Sequence, residues 1–360
     1  MMRVPTYIAA LKPYEPGKPI AALRRETGLE HIIKLASNEN PLGPSPRALA
    51  AMQAALAQVH VYPDDGPELR AALAARLNRQ PENILLGGGS DSLMLSIVRV
   101  FVTEGGEVIS ADGSFPQYWL MPQSRGATVR LAKLKNYCYD LDAIADLVTP
   151  RTQLIFLANP NNPTGTIFQR AAWEKFYARI PPHVMIVCDE AYAEFAAHDP
   201  QWPDSLQYAH DNIITLRTFS KAYGLAGVRL GYAIAAPEII RELSKVKLPF
   251  EPSSLALAAG EAAWDDAEFL ERTLTLNCAQ YAIVTAALDQ MGIAYVPSHA
   301  NFVMIHFRDA TTMQRVNTGL LAQGVILRPL TASGFPSSMR MTIGLPAENA
   351  RCLDVMKTLL

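Results

Sequence analysis

Between residues 82 and 235 the chain is built from a recurring unit. Short β-rich runs (ENILLGGG, GEVISAD, ATVRLAKL, TQLIFLANP, VMIVCDEA, NIITLRTFS, VRLGYAIA) follow one another, most of them separated by helical or turn segments. Runs such as LIFLA and MIVC are apolar at every position, so both of their faces must be buried. Strands of that kind alternating with helices predict a largely parallel sheet covered on both sides. The expected fold class is therefore α/β, a three-layer domain around a mostly parallel central sheet. After about residue 236 the texture changes. Helical patterns in PEIIRELSKVK and FLERTLTLNCAQYAIVTAALDQM precede the short strands IAYV, NFVMIHF, VILRP and MRMTIG. The closing ENARCLDVMKTLL is helical again, so a smaller α+β unit is expected there. RALAAMQAALAQ and ELRAALAARLN read as helices, and Ser90 as the N-cap of the helix SDSLMLSIVRVF. The first forty residues are expected to be irregular, because Pro5, Pro13, Pro16 and Pro19 interrupt any helix.

Composition removes several functions. A length of 360 residues fits two domains at roughly 150 residues each. Thirty-two Lys and Arg against 34 Asp and Glu give a net charge of −2, which argues against a broad basic surface for nucleic acid. No apolar run reaches the roughly 18 to 20 residues that span a bilayer, and prolines stand where a signal peptide needs its apolar core. The four cysteines form no CxxC pair and the seven histidines no ligand-spaced cluster, so no metal site is expected. Free thiols and a cytoplasmic protein, without membrane or nucleic-acid partners, are the expectation.

Chemistry gathers at strand ends. In TFSKAYGLAGVRLGY, Lys221 follows a β-rich run, flanked by Thr218 and Ser220, with Arg229 eight residues on. A Schiff-base lysine needs surroundings that lower its amine pKa, and a phosphate beside it needs hydroxyls and a guanidinium. In VCDEAYAEF, Asp189 ends an apolar strand and Tyr192 lies three residues later. A carboxylate there is costly unless paired; a protonated pyridine nitrogen would pair with it, and a helix N-cap is the plainer alternative. ANPNNPTG turns rigidly at a strand end and presents Asn162. GGGSDS offers the backbone amides of Gly89, Ser90 and Asp91 at a helix N-terminus, an anion site without the signature of a nucleotide loop. In SFPQYW, Phe115 could lie flat on a ring or belong to the core.

Taken from the N-terminus (GGGSDS, Phe115, ANPNNPTG, VCDEAYAEF, then the Lys221 segment), these motifs resemble those of the fold-type-I pyridoxal-phosphate aminotransferases, over essentially the whole length. Within that superfamily the sequence is most similar to the histidinol-phosphate aminotransferases, on KLASNENPLGPSP, VYPDDG, NPNNPTG, CDEAY and TFSKAYGLAGVRLGY. The resemblance implies that Lys221 bonds covalently to pyridoxal 5'-phosphate and shuttles the substrate's proton. Asp189 would pair with the ring nitrogen, Tyr192 and Asn162 would bond the ring oxygen, and Phe115 would stack on the ring. Gly89, Ser90, Asp91, Thr218, Ser220 and Arg229 would hold the phosphate, joined by Tyr62 from a neighbouring subunit of a homodimer with shared active sites. Arg340 and Arg328 would hold substrate anions, with Tyr14 and Asn38 lining the substrate pocket. Two departures stand out: Phe115 where many relatives have Tyr, and Ser92 where an acidic residue is common.

The implied reaction converts L-histidinol phosphate and 2-oxoglutarate to imidazole-acetol phosphate and L-glutamate by ping-pong kinetics, in histidine biosynthesis. The partners are then small molecules, a phosphorylated amino alcohol and 2-oxo acids. An aromatic-amino-acid aminotransferase would share every cofactor residue. A lyase like the threonine-phosphate decarboxylases and a non-catalytic cofactor-binding regulator are further alternatives. Residues 41–250 are expected to form the large cofactor-binding domain. Residues 1–40 and 251–360 are expected to form the N-terminal arm and a small domain built from the two termini.

Overall fold

The computed structural model describes residues 4–13, 17–208 and 210–360. The strands, in chain order, are β1 (Ile33–Lys34), β2 (Ile84–Gly87), β3 (Glu107–Asp112), β4 (Thr128–Lys133), β5 (Thr152–Ala158), β6 (Met185–Asp189) and β7 (Ile213–Thr218). They continue with β8 (Gly231–Ile234), β9 (Ala294–Val296), β10 (Phe302–His306), β11 (Val325–Ile326), β12 (Arg328–Pro329) and β13 (Ser338–Thr342). Among the described residues, β2-β8-β7-β6-β5-β3-β4 make one sheet in that order. Within it β8 runs antiparallel to both neighbours, and β7, β6, β5, β3 and β4 pair in parallel. Every residue of β6, and all but Gln153 of β5, is buried, as their unbroken apolar sequences require. The α/β class and the mostly parallel sheet are those expected.

The helix Ser90–Phe101 buries Leu93, Met94, Ile97 and Val98, a stripe at helical spacing that lies on the sheet core. Its N-cap is Gly89, not Ser90: the chain enters at φ +83, which favours glycine, and Ser90 is already the first helical residue. At the N-terminus the prolines start helices instead of excluding them. Pro5 and Pro19 are the N-caps of the helices Thr6–Ala9 and Ile20–Thr27, a place where the missing N–H costs nothing.

A second sheet, β12-β13-β10-β9, is antiparallel throughout. It packs with the helices Ala310–Ala322 and Pro346–Leu359 around Val303, Ile305, Met339, Met341 and Met356. N-terminal residues lie beside it: β1 pairs in parallel with β11 in a separate two-stranded sheet, and Thr342 donates its N–H to the Leu35 carbonyl at 2.9 Å. The helices Ser254–Trp264 and Ala310–Ala322 go beyond the sequence expectation. The first packs Ala256, Leu257 and Ala259 into the same cluster as Leu69 and Leu73. No helix of the described residues is long and apolar enough to cross a membrane.

Candidate active site

The carboxyl ends of β3, β5, β6 and β7 converge on a cavity of about 360 Å³, the usual position for a site in an open α/β sheet. β6 delivers Asp189 to its floor. Tyr118 Oη donates to Asp189 Oδ2 at 2.7 Å, and the Ala191 N–H donates to Oδ1 at 3.1 Å. Burial raises the Asp189 carboxyl to about 6, and the Tyr118 hydroxyl and Ala191 amide offset part of that rise. Asp189 thus remains largely ionised at neutral pH, with no ion-pair partner in contact among the described residues. Behind it Glu190, pointing to the other face, takes a charge-assisted hydrogen bond from Arg217 Nη2 at 2.8 Å. This buried pair ties the end of β6 to the end of β7, where Thr218 and Ser220 precede Lys221.

Lys221 lines the cavity with its Nζ 5.7 Å from the Tyr192 ring centre. The Tyr192 hydroxyl accepts from Asn38 Nδ2 at 2.8 Å. Asn38 is buried at φ +56, and its own N–H bonds Thr342 Oγ1 at 2.9 Å, so β13 and the N-terminal segment together fix Tyr192. The turn after β5 uses its asparagines differently. Asn161 is structural: it accepts from Ser114 Oγ at 2.7 Å and donates to Thr164 Oγ1 at 2.9 Å. Asn162 is left to face the cavity, where Arg340 Nη1 donates to its Oδ1.

Cations also line the cavity. Arg340 Nη2 also donates to the Ala36 carbonyl at 2.8 Å. In the ladder of β12 and β13, Arg328 stands directly opposite Arg340. At the other end, Arg229 Nη1 reaches Ser220 Oγ at 3.3 Å, and Nη2 lies 3.5 Å from Asp91 Oδ2. A Cβ on Gly89 would fall 2.5 Å from Arg229 Nη2, and one on Gly231 would fall 2.7 Å from the Ser90 N–H. The backbone there is kept bare beside a guanidinium and a helix N-terminus, as a phosphate cradle requires.

Asn38, Ser90, Asp91, Phe115, Asn162, Asp189, Tyr192, Thr218, Ser220, Lys221, Arg229, Arg328 and Arg340 therefore line one cavity. Gly89 is adjacent through Arg229. Tyr62 does not reach the cavity within its own chain: it is 75% exposed and stacks on Phe250 at 4.1 Å. Tyr14 lies outside the described residues. Tyr118, three residues after Phe115 and edge-on to it at 5.6 Å, is a site residue that the sequence motifs do not reveal. A second cavity of about 400 Å³ adjoins the first, sharing Phe115, Asn162, Arg328 and Arg340 and walled by Trp119, Leu120, Pro163 and Leu330.

Comparison with known proteins agrees with this geometry. The family model "Aminotransferase class I and II" matches residues 30–354. Histidinol-phosphate aminotransferase 2 of Ralstonia nicotianae is 46% identical, covering 99% of this chain and 96% of the relative. Histidinol-phosphate aminotransferase of Anaeromyxobacter sp. is 43% identical over 100% of both chains. The crystal structure of histidinol-phosphate aminotransferase from Sinorhizobium meliloti, in complex with pyridoxal-5'-phosphate, superposes with a TM-score of 0.91 at 28% identity, covering 100% of this chain and 99% of that one. With the family model matching most of its length and relatives of over 40% identity covering nearly all of it, the chain belongs to the class I and II aminotransferases.

Proposed function

We propose that this chain transfers the amino group of L-histidinol phosphate to 2-oxoglutarate, giving imidazole-acetol phosphate and L-glutamate, with pyridoxal 5'-phosphate as cofactor. The observation that carries the substrate class is the facing pair Arg328 and Arg340, which line the same cavity as Lys221. Two guanidinium groups held opposite each other favour a ligand with a phosphate or a carboxylate at that end. Planar forks suit both anions, so one pocket serves histidinol phosphate and glutamate in turn, as ping-pong kinetics requires.

The residues fit the cofactor. Ser220, Arg229 and the amides of Ser90 and Asp91 would hold its phosphate in the cradle kept open at Gly89 and Gly231, with Thr218 beside them. Phe115 would cover the ring, and Asn162 with Tyr192 would orient its oxygen. When bound, the cofactor supplies the carbonyl that takes up the amino group and a ring that withdraws electrons from the substrate's α-carbon. Asp189 holds a proton at the ring nitrogen, because its buried carboxylate gains a cation there. Lys221 would accept and return the substrate's α-proton through its amine. Arg340 fixes the substrate's anionic end, and its hold on Asn162 ties substrate position to ring position.

Exposed apolar side chains at Leu56, Val59, Val61 and Tyr62 meet those at Leu248 and Phe250 through the Tyr62–Phe250 stack. Such a patch favours a homodimer in which Tyr62 completes the neighbour's phosphate site. Residues 41–250 would form the cofactor domain, with 1–40 and 251–360 as the arm and small domain of a cytoplasmic enzyme of histidine biosynthesis. The second cavity, apolar and next to the arginines, also fits an aromatic amino acid, which is the second reading. The test is spectroscopic. Mixing the cofactor-loaded protein with glutamate or histidinol phosphate shifts the cofactor's absorbance in a single turnover; no shift with either sinks the proposal.

A further inference from the structure

Gly88, in the turn between β2 and the helix Ser90–Phe101, has a carboxylate pressed against it from far along the chain. A Cβ at Gly88 would lie 2.5 Å from Glu251 Oε1. Ser92 Oγ donates to Glu251 Oε2 at 2.6 Å and accepts from the Gly88 N–H at 3.2 Å. This relay has one polarity. Ser92 accepts the Gly88 N–H on a lone pair and gives its one hydroxyl proton to Glu251. Ser92 then has no proton left to offer a phosphate. The next amide, that of Gly89, is taken by the Gly87 carbonyl at 2.7 Å. The amides of Ser90 and Asp91 remain at the cavity.

Glu251 is itself held. Lys247 Nζ donates to its carbonyl at 2.7 Å and to Asp65 Oδ1 at 3.1 Å. Phe250 stacks on Tyr62 and sits at φ +60, a conformation that residues other than glycine seldom keep without support. A carboxylate close to a phosphate repels it. A chain that anchors one there this firmly gains from the order it imposes on the turn.

We propose that Glu251 is a positioning residue of the phosphate turn: through Ser92 it fixes Gly88 and so aims the Ser90 and Asp91 amides at the cofactor's phosphate. The inference rests on the reading of the cavity as a pyridoxal-phosphate site.

The test measures dissociation constants of pyridoxal 5'-phosphate and of pyridoxal, which lacks the phosphate, for the cofactor-free protein. Glu251→Ala and Ser92→Ala weaken pyridoxal phosphate by roughly tenfold, the scale of one charge-assisted hydrogen bond, and leave pyridoxal within about twofold. The exchange of Ser92→Asp with Glu251→Ser recovers affinity to within about threefold, because an aspartate at 92 accepts the Gly88 N–H itself. Glu251→Gln, nearly isosteric, loses about threefold and keeps the comparison valid if the alanine variant does not fold. The proposal is overturned if Glu251→Ala binds pyridoxal phosphate as tightly as the parent or tighter. It is equally overturned if both probes weaken alike, or if the exchange variant is no better than Glu251→Ala. A parent protein that binds neither probe overturns the cofactor reading instead, a distinguishable failure.

Discussion

Replacing Tyr118 by Phe removes one hydroxyl and little else. The ring keeps its stack on Phe156 at 5.2 Å and its edge contact with Phe115 at 5.6 Å, so the hole left is a single oxygen. What disappears is the 2.7 Å donor to Asp189 Oδ2, a bond made to the charged form of a carboxyl that is 5% exposed. A hydrogen bond to a charged group contributes about 1.5–3 kcal/mol, which at about 1.4 kcal/mol per pK unit is roughly one to two units. The Asp189 carboxyl, at about 6 in the parent, therefore titrates clearly higher in the variant. The sign for stability follows. Asp189 titrates in the folded protein above its ordinary 3.8, so the native state binds more protons between pH 4 and 6. Cofactor-free protein loses stability as pH rises through that window, and Tyr118→Phe extends the loss upward by the same one to two units, roughly. The assay is a pH titration of the carboxyl stretch by infrared difference spectroscopy on cofactor-free protein, with Asp189→Asn as the blank. In the loaded enzyme, kcat near pH 7 falls about tenfold while KM stays nearly constant, because a more basic carboxyl takes the proton back from the ring nitrogen. An Asp189 carboxyl that titrates in Tyr118→Phe at or below its parent value refutes the reasoning.

Arg340→Lys loses the fork that holds Asn162 and the Ala36 carbonyl; in steady-state kinetics KM for both substrates rises about 30-fold or more while cofactor affinity changes little. Asn38→Ala removes the bond to Tyr192 and leaves an alanine at φ +56, so calorimetry should show a loss of about 2–4 kcal/mol; a loss under about 0.5 would mean that Tyr192 is fixed by other contacts. Gly89→Ala sets a Cβ against Arg229 Nη2 at 2.5 Å and φ +83, and equilibrium dialysis should find pyridoxal phosphate bound at least about tenfold more weakly.

The parts of the molecule legible in sequence are those that one segment decides alone. β5 and β6 carry their burial in unbroken apolar runs, and their ends carry Asn162 and Asp189 within the same few residues. Lys221 with its flanking hydroxyls was readable for the same reason. What escaped depends on segments meeting in space. Tyr118 looks like any core tyrosine until the fold brings it to Asp189, 71 residues away. Glu251 sits in a Pro-flanked linker, and nothing local ties it to Ser92, 159 residues earlier. The helix starts at Pro5 and Pro19 were hidden by a rule applied without position, since proline stops a helix from inside and opens one from its first turn. The opposition of Arg328 and Arg340 is a matter of strand register, which alternation alone leaves open.

The central claim is that the facing arginines select a phosphorylated amino alcohol. A single-turnover comparison of L-histidinol phosphate, L-glutamate and L-phenylalanine against the cofactor-loaded protein tests it directly, with kcat/KM read from the cofactor absorbance. The account predicts that histidinol phosphate exceeds phenylalanine by at least about tenfold, because a phosphate offers the two guanidinium groups more charge and more acceptor oxygens than a carboxylate does, and that Arg328→Met together with Arg340→Met abolishes the difference. Phenylalanine reacting faster than histidinol phosphate, or release of CO₂ without need of a 2-oxo acid, would contradict it.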